Sequence, residues 1–498
     1  MMSAASIYIR HAMLGALVAN SPFSILEPFL LGAMDAARNS ADARPGADEI
    51  LVAMVERMRK TPGRIKSHIS MMQIRIHRFP RGLRGAAGED GCYMAPSVVA
   101  IGPYHHGLPH LQDMEEVKHA AAHSFCEAAG PGAITKVYDA MLSVAGDARR
   151  CYAPGDAAVA RLGDAELAAM MLLDGCFLLQ FMGNSAAPLF AGCALSSGPA
   201  ILMDMMLLEN QLPWLVLEAL MASASVEVDV HGFVAGMVDK YFPKKIAPRW
   251  RRVVRRLRTA CGGGGGPAAE GASAAAAAED KPPPPPHLLG LLRSSLIRGM
   301  PAKERAYRAG SSSLLSSSSA VKLAQIGVMP APSTAAWFAD MRLRKNPVLG
   351  ELALSPLFLD DVTASWLVNV AALEASTAAS CESDGVVVSS YLSVLAMLMD
   401  RKEDVHELRG RGVLRGHFSN TQTLAFFKGL GRRLRLGGRY VVVLEQIEAY
   451  KRNRPVRIAV HRFLYKNSKI IAAVLSIAGV VVGIFKALLS LKTGRGGS

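Results

Sequence analysis

The side chains best suited to chemistry lie in one short stretch. His105, His106, His110, His119 and His123 fall there, with Glu115 and Glu116 among them. His119 and His123 are four residues apart, so on a helix they share a face and could offer two imidazole nitrogens to a metal. Zinc would need a third ligand and a partner orienting each ring, for which His105 and Glu115 are candidates. The spacing matches none of the patterns that make zinc motifs specific. The competing reading is a turn. Gly102, Pro103 and Gly107 bracket Tyr104, His105 and His106 in IGPYHHG. Such a run is expected to form a rigid corner whose Tyr and His rings bond to backbone. The corner is the favoured reading, and no metal or other cofactor is assigned.

A second polar group stands in DMMLLENQLPWLVLEAL, residues 204–220. A catalytic Glu209 would need a partner acid, base or nucleophile, and none is marked. Glu209, Asn210 and Gln211 are instead expected to form a buried polar network inside an apolar helix, closing a break before Pro213. Asp174, in LLDGCFLLQFM, is expected to accept hydrogen bonds from the GPYHHG turn. No P-loop, GxSxG elbow, HExxH or kinase set occurs, so no enzyme class is indicated.

Apolar spacing sets the elements that must position these groups. Amphipathic or apolar helices are expected over 47–60, 111–129, 164–182 and 203–224. Pro109 marks the start of the second, Asp164 caps the third, and Pro213 bends or splits the fourth. A strand-like piece and a helix follow over 351–376, and more helix over 388–414. The fold class is mainly α: one large helical domain, 47–464, with a few short strands. Residues 1–46 form an N-terminal extension. Between 259 and 320 the sequence turns to Gly, Ala, Pro and Ser blocks, expected to be a disordered insertion.

The chain has 498 residues and a net charge of +15. Basic residues cluster at 243–260 and 451–469, which favours an anionic partner. No nucleic-acid module is visible, so a membrane surface is the expected partner and nucleic acid is not. Seven cysteines, an odd number without CxxC spacing, fit reduced thiols rather than a disulfide framework. From Ile470 to Leu491 the sequence is apolar except for Lys486, the length of one bilayer crossing. Lys and Arg on its N-terminal side would keep the large domain in the cytosol. If the apolar run near residue 13 were a signal, the domain would face the cell exterior. Gly479 and Gly483 have the spacing of paired spans, which points to a homodimer.

Three blocks together carry a resemblance. They are IGPYHHG (Gly102, Pro103, Tyr104, His105, His106, Gly107) with Met114, Glu115 and Lys118 downstream; LLDGC with Asp174; and LLENQLP with Leu208, Glu209, Asn210, Gln211 and Pro213. In this order they resemble the plant family called domain of unknown function 247. The resemblance runs from about residue 47 to the end. It implies a single-pass membrane protein without established enzymatic activity, and some grass members are associated with self-incompatibility. The expected function is membrane-anchored protein recognition or signalling, with an unknown protein partner. The alternative is a membrane-bound metal-dependent hydrolase built on the His105–His123 cluster.

Overall fold

A computed structural model describes residues 75–86, 91–183, 197–243, 284–301, 319–345, 350–377, 384–431 and 433–493. All of these belong to one compact unit, Ile74–Ser498. The extension 1–46, the helix expected at 47–60 and most of the 243–260 basic cluster lie outside the described residues.

The described part is mainly α. A 3₁₀ turn, Pro109–Leu111, leads into α1, Asp113–Ala129, whose first turn carries Asp113, Glu115 and Glu116. These acids suit the positive end of the helix dipole. Helix α2, Ala133–Arg150, buries Val137, Met141, Ala145 and Ala148 on one stripe, the helical pattern of a core-facing surface. Helix α3, Asp164–Met182, is apolar nearly all round. Asp164 does not cap it. The N-cap is Gly163, whose amide donates to Glu166 Oε2 at 2.8 Å, while Asp164 meets Arg149 at 2.7 Å. Helices α1, α2 and α3 pack on one another. Helix α3 is long and apolar enough to cross a membrane, but two thirds of that stretch is buried in the protein, as in a core helix.

The helix expected over 203–224 is two helices. Residues 197–204 form α4, and Trp214–Ala224 form α5. Residues 205–213 between them are not helical, so Glu209, Asn210 and Gln211 sit on a connection. Pro213, at the N-cap of α5, has no N–H to continue a helix. Helix α6, Val230–Tyr241, follows.

The expected disordered insertion, 259–320, also needs correction. Leu288–Leu296 within it is an ordered helix, α7, and five of its leucines are buried. The Pro run misleads because it ends at His287, which caps the helix by accepting from the Gly290 amide. Helix α7 packs between α6 and a later helix, α9, Asp361–Thr377.

Between them lie α8, Ala320–Gln325, and strands β1, Val328–Pro332, β2, Met341–Lys345, β3, Gly350–Leu354, and β4, Leu357–Leu359. Strand β3 is central, parallel to β1 (Val328 opposite Gly350) and antiparallel to β2 (Met341 opposite Leu354). Beyond α9 come α10, Val387–Leu398, α11, Lys402–Gly410, and β5, Leu414–Gly416, which pairs in parallel with β4. Four helices close the chain: α12, Asn420–Gly431; α13, Gly438–Asn453; α14, Pro455–Lys466; and α15, Ser468–Thr493. One apolar cluster runs from Phe79 to Tyr450, so the segments on either side of the insertion share a core.

Candidate functional site

The GPYHHG corner turns on a left-handed glycine. Gly102 has φ +76°, and a Cβ there would stand 2.5 Å from the carbonyl oxygen of Gln211. Only glycine permits both the left-handed backbone and that approach. The Gly102 amide donates to Asp174 Oδ2 at 2.8 Å, so Asp174 on α3 does bind the turn. The other Asp174 oxygen lies 2.7 Å from Lys118 Nζ, which also meets Glu115 at 2.6 Å. Burial alone would lower the Lys118 pKa, but the two carboxylates outweigh it and hold the ammonium above its ordinary value.

The LLENQLP connection docks beside this turn and is saturated by backbone. Asn210 Oδ1 accepts from the Ile101 amide at 2.7 Å, and its Nδ2 donates to the carbonyls of Val99 and Asp204. Gln211 Nε2 donates to Met205, Leu207 and Asn210 carbonyls, and its Oε1 accepts from the Leu289 amide on α7. The Leu208 amide donates to Asn369 Oδ1 on α9. Met114 is buried in the apolar cluster next to Lys118 on α1. Glu209, its side chain only 12% exposed, binds the chain near residue 78: one oxygen accepts from the Phe79 amide and the other from Arg78. Arg78 also forks onto both oxygens of Asp156 and stacks over the Tyr104 ring at 3.7 Å. Desolvation works against the Arg78 charge, but Asp156 and Glu209 raise its pKa overall. The fork in turn lowers that of Asp156.

The histidines behave differently from one another. Tyr104 does bond to backbone, donating to the Ile76 carbonyl and accepting from the Ala153 amide. The His pair does not follow it: His105 Nε2 and His106 Nδ1 are buried without a partner. Burial lowers the His105 pKa despite the nearby Glu209. His119 and His123 are exposed on α1, and His123 Nδ1 is 3.9 Å from Glu127. Glu115, the other candidate ligand, is engaged by Lys118. Among the described residues no three His, Cys, Asp or Glu side chains converge as metal ligands.

Several key residues carry no signal that marks them in the sequence. Asp204 accepts from the Ser97, Val98 and Val99 amides. His287, wholly buried, sits 3.2 Å from Gln211 Oε1, and desolvation lowers its pKa to about 3. Asp204 opens the quoted DMMLLENQ block, so its type is legible in the sequence but not its role. What the whole arrangement does chemically is hold four chain segments, near residues 76–79, 97–104, 204–213 and 287–289, in one register.

The plant family described as "Plant protein of unknown function", domain of unknown function 247, matches residues 76–482. The chain belongs to that family. It is 25% identical over 373 residues to UPF0481 protein At3g47200 of Arabidopsis thaliana, covering 68% of each chain. No solved structure matches significantly.

Proposed function

We propose that the protein is a membrane-anchored recognition or signalling component, in which α15 holds a helical domain at a bilayer for binding another protein. The observation that carries this is the exposure of α15. Ile470, Val474, Ile477, Val480, Val481, Val482 and Ile484 all project from the domain. Large apolar residues in that number are not kept in water without a function. The helix has 26 residues, about 39 Å of rise, enough for the hydrocarbon core of about 30 Å. Lys451, Arg452, Arg454, Arg457, Arg462 and Lys466 precede it and Lys469 falls in its first turn, against Lys492 in its last turn and Arg495 beyond it. That asymmetry supports a cytosolic domain. Recognition at a cell membrane is also the setting of self-incompatibility, the role that the resemblance raises. The saturation of Asn210 and Gln211 by backbone, and the Gly102 amide bound by Asp174, support a scaffold reading of LLENQLP and of the turn it packs on over a reaction centre.

The test is membrane fractionation of the full chain in plant tissue. Wild type is expected in the carbonate-washed pellet, and an Ile477→Lys/Val481→Lys variant in the soluble fraction. Release of wild type by carbonate would refute the anchor. Proximity labelling from an N-terminal tag then reports the partner, and labelling of cell-wall proteins alone would refute the cytosolic placement.

A further inference from the structure

Helix α14 presents two opposite faces. Its inner face is docked: Ile458 packs on the apolar cluster, His461 Nδ1 lies 3.1 Å from the Gln325 carbonyl of α8, and Tyr465 is part-buried near Glu407 and Arg411. Its outer face carries Val456, Val460 and Phe463, exposed by 74%, 55% and 64%. At 3.6 residues per turn these three fall on one ridge, on the side away from Ile458, His461 and Tyr465. The same geometry sets Arg457 along one border of the ridge and Arg462 and Lys466 along the other. One residue, Asn467, separates α14 from α15. Its backbone, at φ −102° and ψ 13°, ends the first helix, and its side chain donates to the Phe463 carbonyl.

An apolar ridge bordered by cations is the pattern of a helix that lies in a membrane interface. We propose that α14 is a second membrane contact, with Val456, Val460 and Phe463 entering the headgroup–acyl boundary of an anionic leaflet and Arg457, Arg462 and Lys466 meeting lipid phosphates and carboxylates. This rests on the anchoring role of α15 and deepens it. Because the inner face of α14 is packed on α8 and α13, lipid bound to the ridge fixes which side of the domain faces the bilayer. Two features select lipid as the occupant. The ridge is continuous in sequence with the apolar α15, and its cations suit acidic headgroups. A second copy pairing through the same ridge would bring like charges together.

The experiment is cysteine accessibility in the full chain, reconstituted in vesicles of phosphatidylcholine with or without phosphatidylserine. Val460→Cys, Phe463→Cys, Val481→Cys and Lys136→Cys are made singly. Maleimide labelling is read at the introduced position by peptide mass spectrometry, so native thiols do not interfere. Lys136 is an exposed residue of α2 and serves as the reference. Positions 460 and 463 are expected to label roughly tenfold more slowly with phosphatidylserine present than without it, and position 136 equally in both. Position 481 is expected to be protected in both. Labelling of 460 and 463 at the reference rate in both vesicles, with 481 still protected, overturns the α14 inference alone. Labelling of 481 at the reference rate overturns the anchor instead. Protection of 460 and 463 that ignores phosphatidylserine but rises with protein density assigns the ridge to a second copy and also overturns it.

Discussion

A carboxylate as buried as Asp174 is tolerable only when its oxygens are matched, because an unpaired buried charge is costly. Lys118 and the Gly102 amide match them. Asp174→Ala is therefore expected to cost about 3–5 kcal/mol, by leaving the Gly102 amide unbonded and the buried Lys118 ammonium with Glu115 as its remaining carboxylate partner. Urea denaturation measures this, and an Asp174→Leu/Lys118→Met double variant should recover part of the loss. A single variant as stable as wild type would remove the lock reading of the corner. His287 gives a pH signature. Its folded pKa of about 3 lies below its ordinary 6.5. Between those values the unfolded chain binds a proton that the folded one refuses, so stability is full above pH 6.5 and falls as pH drops. The expected loss is about 2 kcal/mol from about pH 7 to about pH 5. His287→Gln should flatten that slope relative to wild type, whatever it does to absolute stability.

At the scale of elements, two expectations fail for reasons that can be named. The helix across 203–224 is interrupted because Asn210 and Gln211 accept from the distant Ile101 and Leu289 amides while their side-chain amides tie up the connection's own carbonyls, and Pro213 then starts the next helix. The apolar run still reads as continuous helix because Leu and Met suit both a helix and a buried connection. Helix α7 is hidden next to low-complexity sequence, yet LLGLL spaces its leucines for burial on α6 and α9. Leu292→Ala is expected to destabilise the protein by about 2–4 kcal/mol, the usual range for a core leucine. Thermal or urea unfolding would show it, and a neutral result would mean that α7 is not part of the core. The short strands owe little to alternation. Met341–Lys345 has one, but Val328–Pro332 is nearly all buried and so shows no period of two.

At the scale of the molecule, polar ties cross the insertion. Asn369 on α9 accepts from the Leu208 amide and donates to the Tyr93 carbonyl, and Trp366 donates to the Leu202 carbonyl. The segments before and after the insertion therefore unfold together. Tryptophan fluorescence and far-ultraviolet circular dichroism are expected to give coincident urea transitions. Asn369→Ala should shift both together by about 1–3 kcal/mol, since it leaves the Leu208 amide and Tyr93 carbonyl buried and unbonded. Two separated transitions would show that the segments are independent.

The sequence by itself determined the mainly helical class, the family, and which residues cluster in blocks. Those depend on local spacing and on residue type, both of which are printed in the chain. It also paired Asp174 with the turn, because a lone acid in an apolar helix demands a distant donor. Tertiary structure decided the rest. Whether His119 and His123 meet a third ligand depends on the face α1 turns outward, and they face solvent. The partners of Glu209, Asn210 and Gln211 are mostly backbone amides and carbonyls, which every residue possesses and no side-chain pattern announces. The same limit hid the ridge on α14: Val456, Val460 and Phe463 are legible as helical spacing. That they point away from the core follows only once Ile458, His461 and Tyr465 have docked.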